Sequence, residues 1–260
     1  MKPYGALLCL ALAALPASAS AAKTAKTKPV GKPAPAAAPA AADAYSSTAA
    51  AAVFAWSSSA PLTLPAVLEH FRLYDRELRS LSASFTQTVD VPETRTNSVS
   101  EGTVDYLKPE RIRIEHKRPE LQTAVTDGKD LWVHRRSQNQ VIQSSLEDWK
   151  KADPTVSSLM RFGDYARMLE TYDAALDTSS ARATLTLKPK EKGGTDFRLK
   201  LTLSPETLFP ETTELLVGSL SVRTALDRIR YNAPVREESF RFEPPAGAEV
   251  FRNFKPPKLQ

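Results

Sequence analysis

The residues of this 260-residue chain best suited to proton transfer or metal binding are three histidines, His70, His116 and His134. A metal site on a helix needs two ligands three or four positions apart, so that both side chains leave the same face. Neither His-x-x-x-His nor Glu-x-x-His occurs, and the histidines fall in separate segments. A Gly-x-Ser-x-Gly nucleophile turn is also missing, and Lys192-Gly193-Gly194-Thr195 lacks the upstream glycine of a phosphate loop. Glu237 and Glu238 are adjacent, which in a strand sends them to opposite faces rather than pairing them as acid and base. The expectation is therefore a protein that is not an enzyme, with no cofactor or metal and with structural or surface roles for the histidines.

The elements that could position a site begin beyond residue 60. Residues 1–21 carry Lys2, an apolar run from Ala6 to Leu15, then Pro16 and small residues, the pattern of a secretory signal peptide. The run is too short to cross a bilayer. Cys9 lies inside it, preceded by Leu8, and does not fit the cleavage-site cysteine of a lipid-anchored protein. Export would leave a chain without cysteine, hence without disulfides or a thiolate. Residues 22–60 are rich in Ala and Pro with four lysines, and read as a disordered linker; within it Val53, Phe54 and Trp56 are bulky enough to dock on the domain. All but one of the five net positive charges fall within residues 1–60, so residues 61–260 form a nearly neutral domain. That balance disfavours binding to nucleic acid.

The domain opens with an amphipathic helix over Pro65 to Ser80, with Thr63 as its N-cap and Leu64, Val67, Leu68, Phe71, Tyr74 and Leu78 at helical spacing. From Leu81 the period becomes two. Ala83, Phe85, Gln87, Val89 and Val91 share one face. Further strands are expected at Gly102–Leu107, Arg111–His116, Leu121–Thr126, Leu131–Arg135 and Gln140–Ser144, with Asp127-Gly128 as a hairpin turn. After a helical interruption near residues 153–170, strands resume at Thr171–Leu176, Ala183–Leu187, Phe197–Leu203, Thr212–Val217, Ser221–Tyr231 and Ser239–Phe242. One face of this antiparallel sheet is apolar and the other carries Arg111, Arg113, Glu115, Arg198 and Lys200. Such a sheet must close on itself, pair with another, or curl around helices.

From about Leu64 to Val250 the chain resembles the LolA family of periplasmic carriers of outer-membrane lipoproteins. The resemblance rests on "LSASFTQTV", "GTVDYLKPERIRIEHKRP", "TAVTDGKDLWVH" and "VREESFRFEPPAGAEV" in that order. It implies a mainly β fold with an α lid: a strongly curved, incomplete antiparallel β-barrel, or half-barrel, covered by helices. It implies an acyl-chain cavity lined by Ile112, Ile114, Tyr106 and Trp132, and lid residues Val156, Leu159, Met160 and Phe162. The family often has a latch arginine before the strand-initiating proline, bonded to lid backbone; here Lys108 precedes Pro109. Lysine lacks arginine's planar fork. The implied partners are lipoprotein acyl chains as cargo, an inner-membrane lipoprotein-releasing ABC transporter and an outer-membrane lipoprotein receptor, with the carrier a periplasmic monomer. Two related readings are a lipoprotein-sensing regulatory domain and the outer-membrane receptor itself; the latter needs a lipidated N-terminal cysteine, for which Ala19 to Ala22 leave no place.

Overall fold

The computed structural model describes residues 52–57, 60–92, 96–148, 172–190 and 197–255. Helix α1 (Leu64–Glu77) starts where Thr63 accepts a hydrogen bond from the Ala66 amide, with Pro65 in the first turn, where a missing N–H costs nothing. Val67, His70, Phe71 and Tyr74 recur on its buried face. It ends at Leu78, whose amide still reaches the Tyr74 carbonyl as the backbone turns extended and enters β1.

Twelve strands follow. They are β1 (Ser80–Val91), β2 (Thr96–Leu107), β3 (Arg111–Arg118), β4 (Gln122–Thr126), β5 (Asp130–Arg135) and β6 (Gln140–Ser145), then β7 (Tyr172–Asp177), β8 (Thr184–Pro189), β9 (Phe197–Leu203), β10 (Pro210–Val217), β11 (Leu220–Tyr231) and β12 (Glu249–Phe251). They form one open, curved sheet in the order β12-β6-β5-β4-β3-β2-β1-β11-β10-β9-β8-β7. Every pairing is antiparallel except β12 on β6. The chain thus lays down β1 to β6 in one direction, resumes at the far edge with β7, and returns to place β11 beside β1.

Turn chemistry sets the registers. At the β4–β5 turn Asp127 Oδ1 accepts from the amides of Lys129 and Asp130, at 2.9 and 3.0 Å, while Gly128 adopts a φ of +98° that few other residues tolerate. Two irregularities bend the sheet. One extra residue of β11 opposes the Ser82–Ser84 step of β1, and there Arg228 takes φ +50° and donates from Nε and Nη2 to Ser84 Oγ. One extra residue of β3 is accommodated between the pairs Glu101–Arg118 and Gly102–His116. Such bulges increase local twist and help an open sheet curl.

Curling gives the sheet an inner and an outer face. The inner face contributes Leu81, Phe85, Val104, Tyr106, Ile112, Ile114, Leu131, Val133, Leu185, Leu187, Leu199 and Leu201 to one core that also takes in the buried side of α1. The segment upstream of α1 belongs to this core as well. Phe54 is fully buried, stacked on Tyr74 with ring centroids 4.4 Å apart and close to Tyr231 at 5.3 Å. His70 Nε2 lies 3.1 Å from the Phe54 carbonyl oxygen, to which it donates, and the Trp56 amide donates to Glu206 O at 2.6 Å. The packed structure therefore extends into the stretch expected as linker.

The outer face has its own cover over β3 to β6. The chain after β11 crosses it, with a 3-10 turn at Glu237–Phe240 in place of the expected strand Ser239–Phe242. Arg113 Nη1 donates to Ser239 O at 3.0 Å, and Arg111 pairs with Glu237 at 3.1 Å. Phe240 is buried, and Phe242 stacks on Trp132 with centroids 5.6 Å apart. The segment then lines the sheet edge as β12. With Glu237 and Glu238 in that turn, the strand parity invoked for them does not apply.

Replacing Phe54 by Ala removes a fully buried ring from between α1 and β11, and is expected to lower stability by about 3–5 kcal/mol. Val53, half exposed at 49%, serves as control: Val53→Ala should stay within about 0.5 kcal/mol. Urea denaturation of the full chain measures both; equal midpoints would show that Phe54 is not part of the core.

Candidate functional site

Strand register resolves the inner face of β1 to β5 into rungs. The first rung aligns Leu81, Tyr106, Ile112, Thr126 and Leu131; the second, Ala83, Val104, Ile114, Ala124 and Val133. All ten are buried, and all but Thr126 are apolar. The third rung aligns Phe85, Gly102, His116, Gln122 and Arg135, and beyond it come Gln87 and Ser100. The trough is therefore greasy at one end and increasingly polar along the strands. Successive rungs lie about 7 Å apart, because side chains alternate along a strand.

Three of the sequence-predicted cavity residues lie together on the inner face. Tyr106, Ile112 and Ile114 are 1%, 5% and 4% exposed, with Tyr106 directly across from Ile112. Trp132 does not join them. It pairs with Val125, which pairs with Arg113, so it points to the outer face, where it stacks on Phe242 and carries the Arg252 guanidinium 5.8 Å from its ring centroid. Period-two alternation requires this once Leu131 and Val133 face inward. The family resemblance implied the trough, but Trp132 belongs with Val125 and Val141 to a second apolar patch, on the outer face under Phe240 and Phe242. Lys108 Nζ donates to the Asp75 carbonyl at 2.6 Å, and its backbone amide to Arg79 O at 2.8 Å, so it ties the end of β2 to the last turn of α1. A cation at a helix C-terminus is favoured by the helix dipole. Val156, Leu159, Met160 and Phe162 lie outside the described residues.

The group that sequence reasoning passed over is His116. It follows Ile112 and Ile114 by parity, so its inward direction was readable; the separate segments of the three histidines suggested only a structural or surface role. It is 5% exposed, its ring meets the Phe85 ring edge-on at 5.3 Å, and neither ring nitrogen has a hydrogen-bond partner among the described residues. Burial alone pulls its pKa down from 6.5 to about 4, so the ring is neutral at physiological pH. Room for this arrangement comes from Gly102. A Cβ there would collide with the Glu115 carbonyl oxygen and come within 2.7 Å of the Phe85 ring.

At the closed end an aromatic group comprises Phe54, Tyr74, Phe209 and Tyr231. Tyr74 OH donates to the Thr207 carbonyl at 2.8 Å. Burial is the main cause that raises both phenols, Tyr231 to about 12, so these rings remain neutral. His70 is pulled down chiefly by burial and acts as a structural donor to Phe54 O.

An open, curved antiparallel sheet with a helix across one end of a continuous apolar face defines a half-barrel. Sequence comparison supplies the family. Residues 76–243 match the family described as Outer membrane lipoprotein carrier protein LolA, and the chain belongs to that family. Proteins named outer-membrane lipoprotein carrier protein are similar to it. That of Methylibium petroleiphilum is 27% identical over 176 residues, covering 67% of this chain and 83% of its own. That of Halorhodospira halophila is 29% identical over 183 residues, covering 68% and 82%. Among solved structures, a LolA superfamily protein from Nitrosomonas europaea aligns with 12% identity and a TM-score of 0.41, over 70% of this chain and 99% of that one.

His116 predicts an acid-sensitive fold. Its pKa is lower in the native state than in the unfolded chain, so between about 4 and 6.5 the unfolded state binds more protons. Stability is therefore full above 6.5, falls as pH drops through this window and levels off below it, for a total on the order of 3 kcal/mol. Urea unfolding of wild type and His116→Leu at pH 7.5, 5.5 and 4.5 checks this. The difference between the two proteins should shift towards the variant on acidification; a pH-independent difference refutes the buried neutral ring. Gly102→Ala should cost at least as much at every pH, because backbone as well as side chain must move.

Proposed function

We propose that this protein is a periplasmic carrier that binds the acyl chains of lipoproteins in the inner trough, accepting them from an inner-membrane lipoprotein-releasing ABC transporter and handing them to an outer-membrane lipoprotein receptor. The observation that carries this reading is the apolar double rung centred on Ile112 and Ile114, on the concave face of a sheet that does not close. Each CH₂ removed from water gains about 0.8 kcal/mol, so an acyl chain is retained strongly by such a surface and is not released into water on its own. Release must come from a binder of higher affinity, and a chain of partners in rising order of affinity moves cargo in one direction. In this reading the segment 1–21 directs export, residues Val156, Leu159, Met160 and Phe162 cover the trough, and the unbranched thioether of Met160 suits a surface that repacks around different chains. Lys108 holds α1 at the closed end through a single point-charge donor, in the place of the family's arginine.

The direct test is co-purification with a triacylated lipoprotein. The protein should keep the acylated form in solution without detergent and leave the unacylated form unaffected; aggregation of the acylated form despite excess carrier would refute the reading. Ile112→Glu places a carboxylate among apolar side chains on the first rung, at a cost of several kcal/mol to any state in which that rung is dry. It should reduce lipoprotein retention at least tenfold, about 1.4 kcal/mol, in protein whose circular dichroism spectrum is unchanged. Arg113→Glu, on the opposite face of the same strand, should leave retention intact.

A further inference from the structure

We propose that His116 is a polar subsite of the trough, where a ring N–H donates a hydrogen bond to an ester carbonyl oxygen linking an acyl chain to its glyceryl group. This rests on the carrier reading and specifies how the lipid is oriented within the trough. Three independent observations converge on the imidazole. The first is its position on the inner face at the step from apolar to polar rungs, with Ile114 and Ile112 behind it and Gln122 and Arg135 beside it. The second is that both nitrogens are buried without a partner among the described residues, although buried polar atoms in folded proteins are nearly always paired. A neutral imidazole carries one N–H donor and one acceptor nitrogen, so one donor is left unpaired whichever tautomer is present.

The third observation is that the backbone is shaped to hold this ring. The β3 bulge falls at the step immediately after the His116 pairing, and such bulges often re-aim a side chain. Across the ladder stands Gly102, the one residue small enough to let the Phe85 ring lie against its backbone and meet the imidazole edge-on. A merely structural core position would be filled more cheaply by Leu or Met.

The ligand chemistry follows from the trough itself. Of an acyl chain and its linkage, only the carbonyl is polar, and it accepts hydrogen bonds without donating them. That matches an N–H donor at the polar boundary of an apolar surface. His116 stands two rungs from Ile112 on β3, about 14 Å along the strand. An ester at His116 therefore directs the chain over Ile114 and Ile112 towards the end closed by α1, and leaves the glyceryl and peptide parts at the Gln122 and Arg135 end. The neighbouring polar pair, Gln87 Nε2 donating to Thr224 Oγ1 at 3.1 Å, is by contrast satisfied internally.

The test compares two lipopeptides with the full-length protein: one bearing an S-diacylglyceryl cysteine with two ester carbonyls, the other its dialkyl ether analogue of equal chain length. Wild type should bind the ester roughly three- to tenfold more tightly, the range of one neutral hydrogen bond. His116→Leu should bind both with the affinity that wild type shows for the ether. The ring N–H resonance of His116 in ¹⁵N-labelled wild type should shift with the ester and not with the ether, a readout that needs no variant to fold. Equal affinities and no ester-specific shift would overturn the assignment and leave the imidazole served by water. An ester preference kept in His116→Leu would overturn it too. Failure of wild type to bind either lipopeptide would instead overturn the carrier reading, and the subsite with it.

Discussion

The structure depends on one constraint: a twelve-stranded sheet with a continuous apolar inner face must keep that face out of water without closing into a barrel. A closed barrel would remove both edges and fill its interior with side chains. Here the sheet stays open, and separate devices each cover part of the problem. α1 lies against the inner face near Tyr231 and Phe209, Phe54 wedges beneath it, and Lys108 ties its last turn to the end of β2. These contacts gather at one end of the trough. That end is a fixed aromatic core, whereas the first two rungs of β3 to β5 are aliphatic but for Thr126 and the third carries His116, Gln122 and Arg135.

This asymmetry explains why polarity changes along the strands rather than across the sheet. The first two rungs lie level with the end held by α1 and carry hardly any polar atom. The third brings His116, Gln122 and Arg135 to one level, and the Phe85 ring packs against the imidazole from the β1 side. The glycine opposite and the bulge beside it are local costs in backbone order. In a sheet evolved only for stability, those positions would carry β-branched residues. Their coincidence with an unpaired buried nitrogen therefore places the cost where a ligand has use for it.

Much of this was legible in the sequence, because alternation is a local property. The run Arg111-Ile112-Arg113-Ile114 states its own faces, and the Asp127-Gly128 turn and the Thr63 cap declare their elements without reference to anything distant. Trp132 was misassigned because both faces of β5 are apolar, and only a segment more than a hundred residues away explains why. Phe242 covers the outer side, so bulk on that strand no longer marks the inner face. His116 was expected in a structural or surface role, because no other reactive group lies near it in the sequence; the two buried isoleucines on the same strand were the cue to its inward direction. Phe54 lay within a compositionally simple stretch, where its partners Tyr74 and Tyr231 cannot be inferred from local sequence.

The outer cover solves the remaining edge. β6 would present unpaired backbone groups along the side of the sheet on which the trough residues of β4 and β5 depend. The returning chain meets it with Glu249–Phe251 in parallel register, and follows with the Phe254 amide on Gln143 O. Parallel pairing is slightly weaker per residue than antiparallel, and three residues of it would not hold alone. What holds the strap is upstream, where Arg113 reaches Ser239 O, Phe240 is buried and Phe242 stacks on Trp132. Strand β3 thus serves two surfaces at once. Its isoleucines and histidine form the trough, while its arginines grip the strap that protects the edge, so neither face of that strand is free to change without disturbing the other.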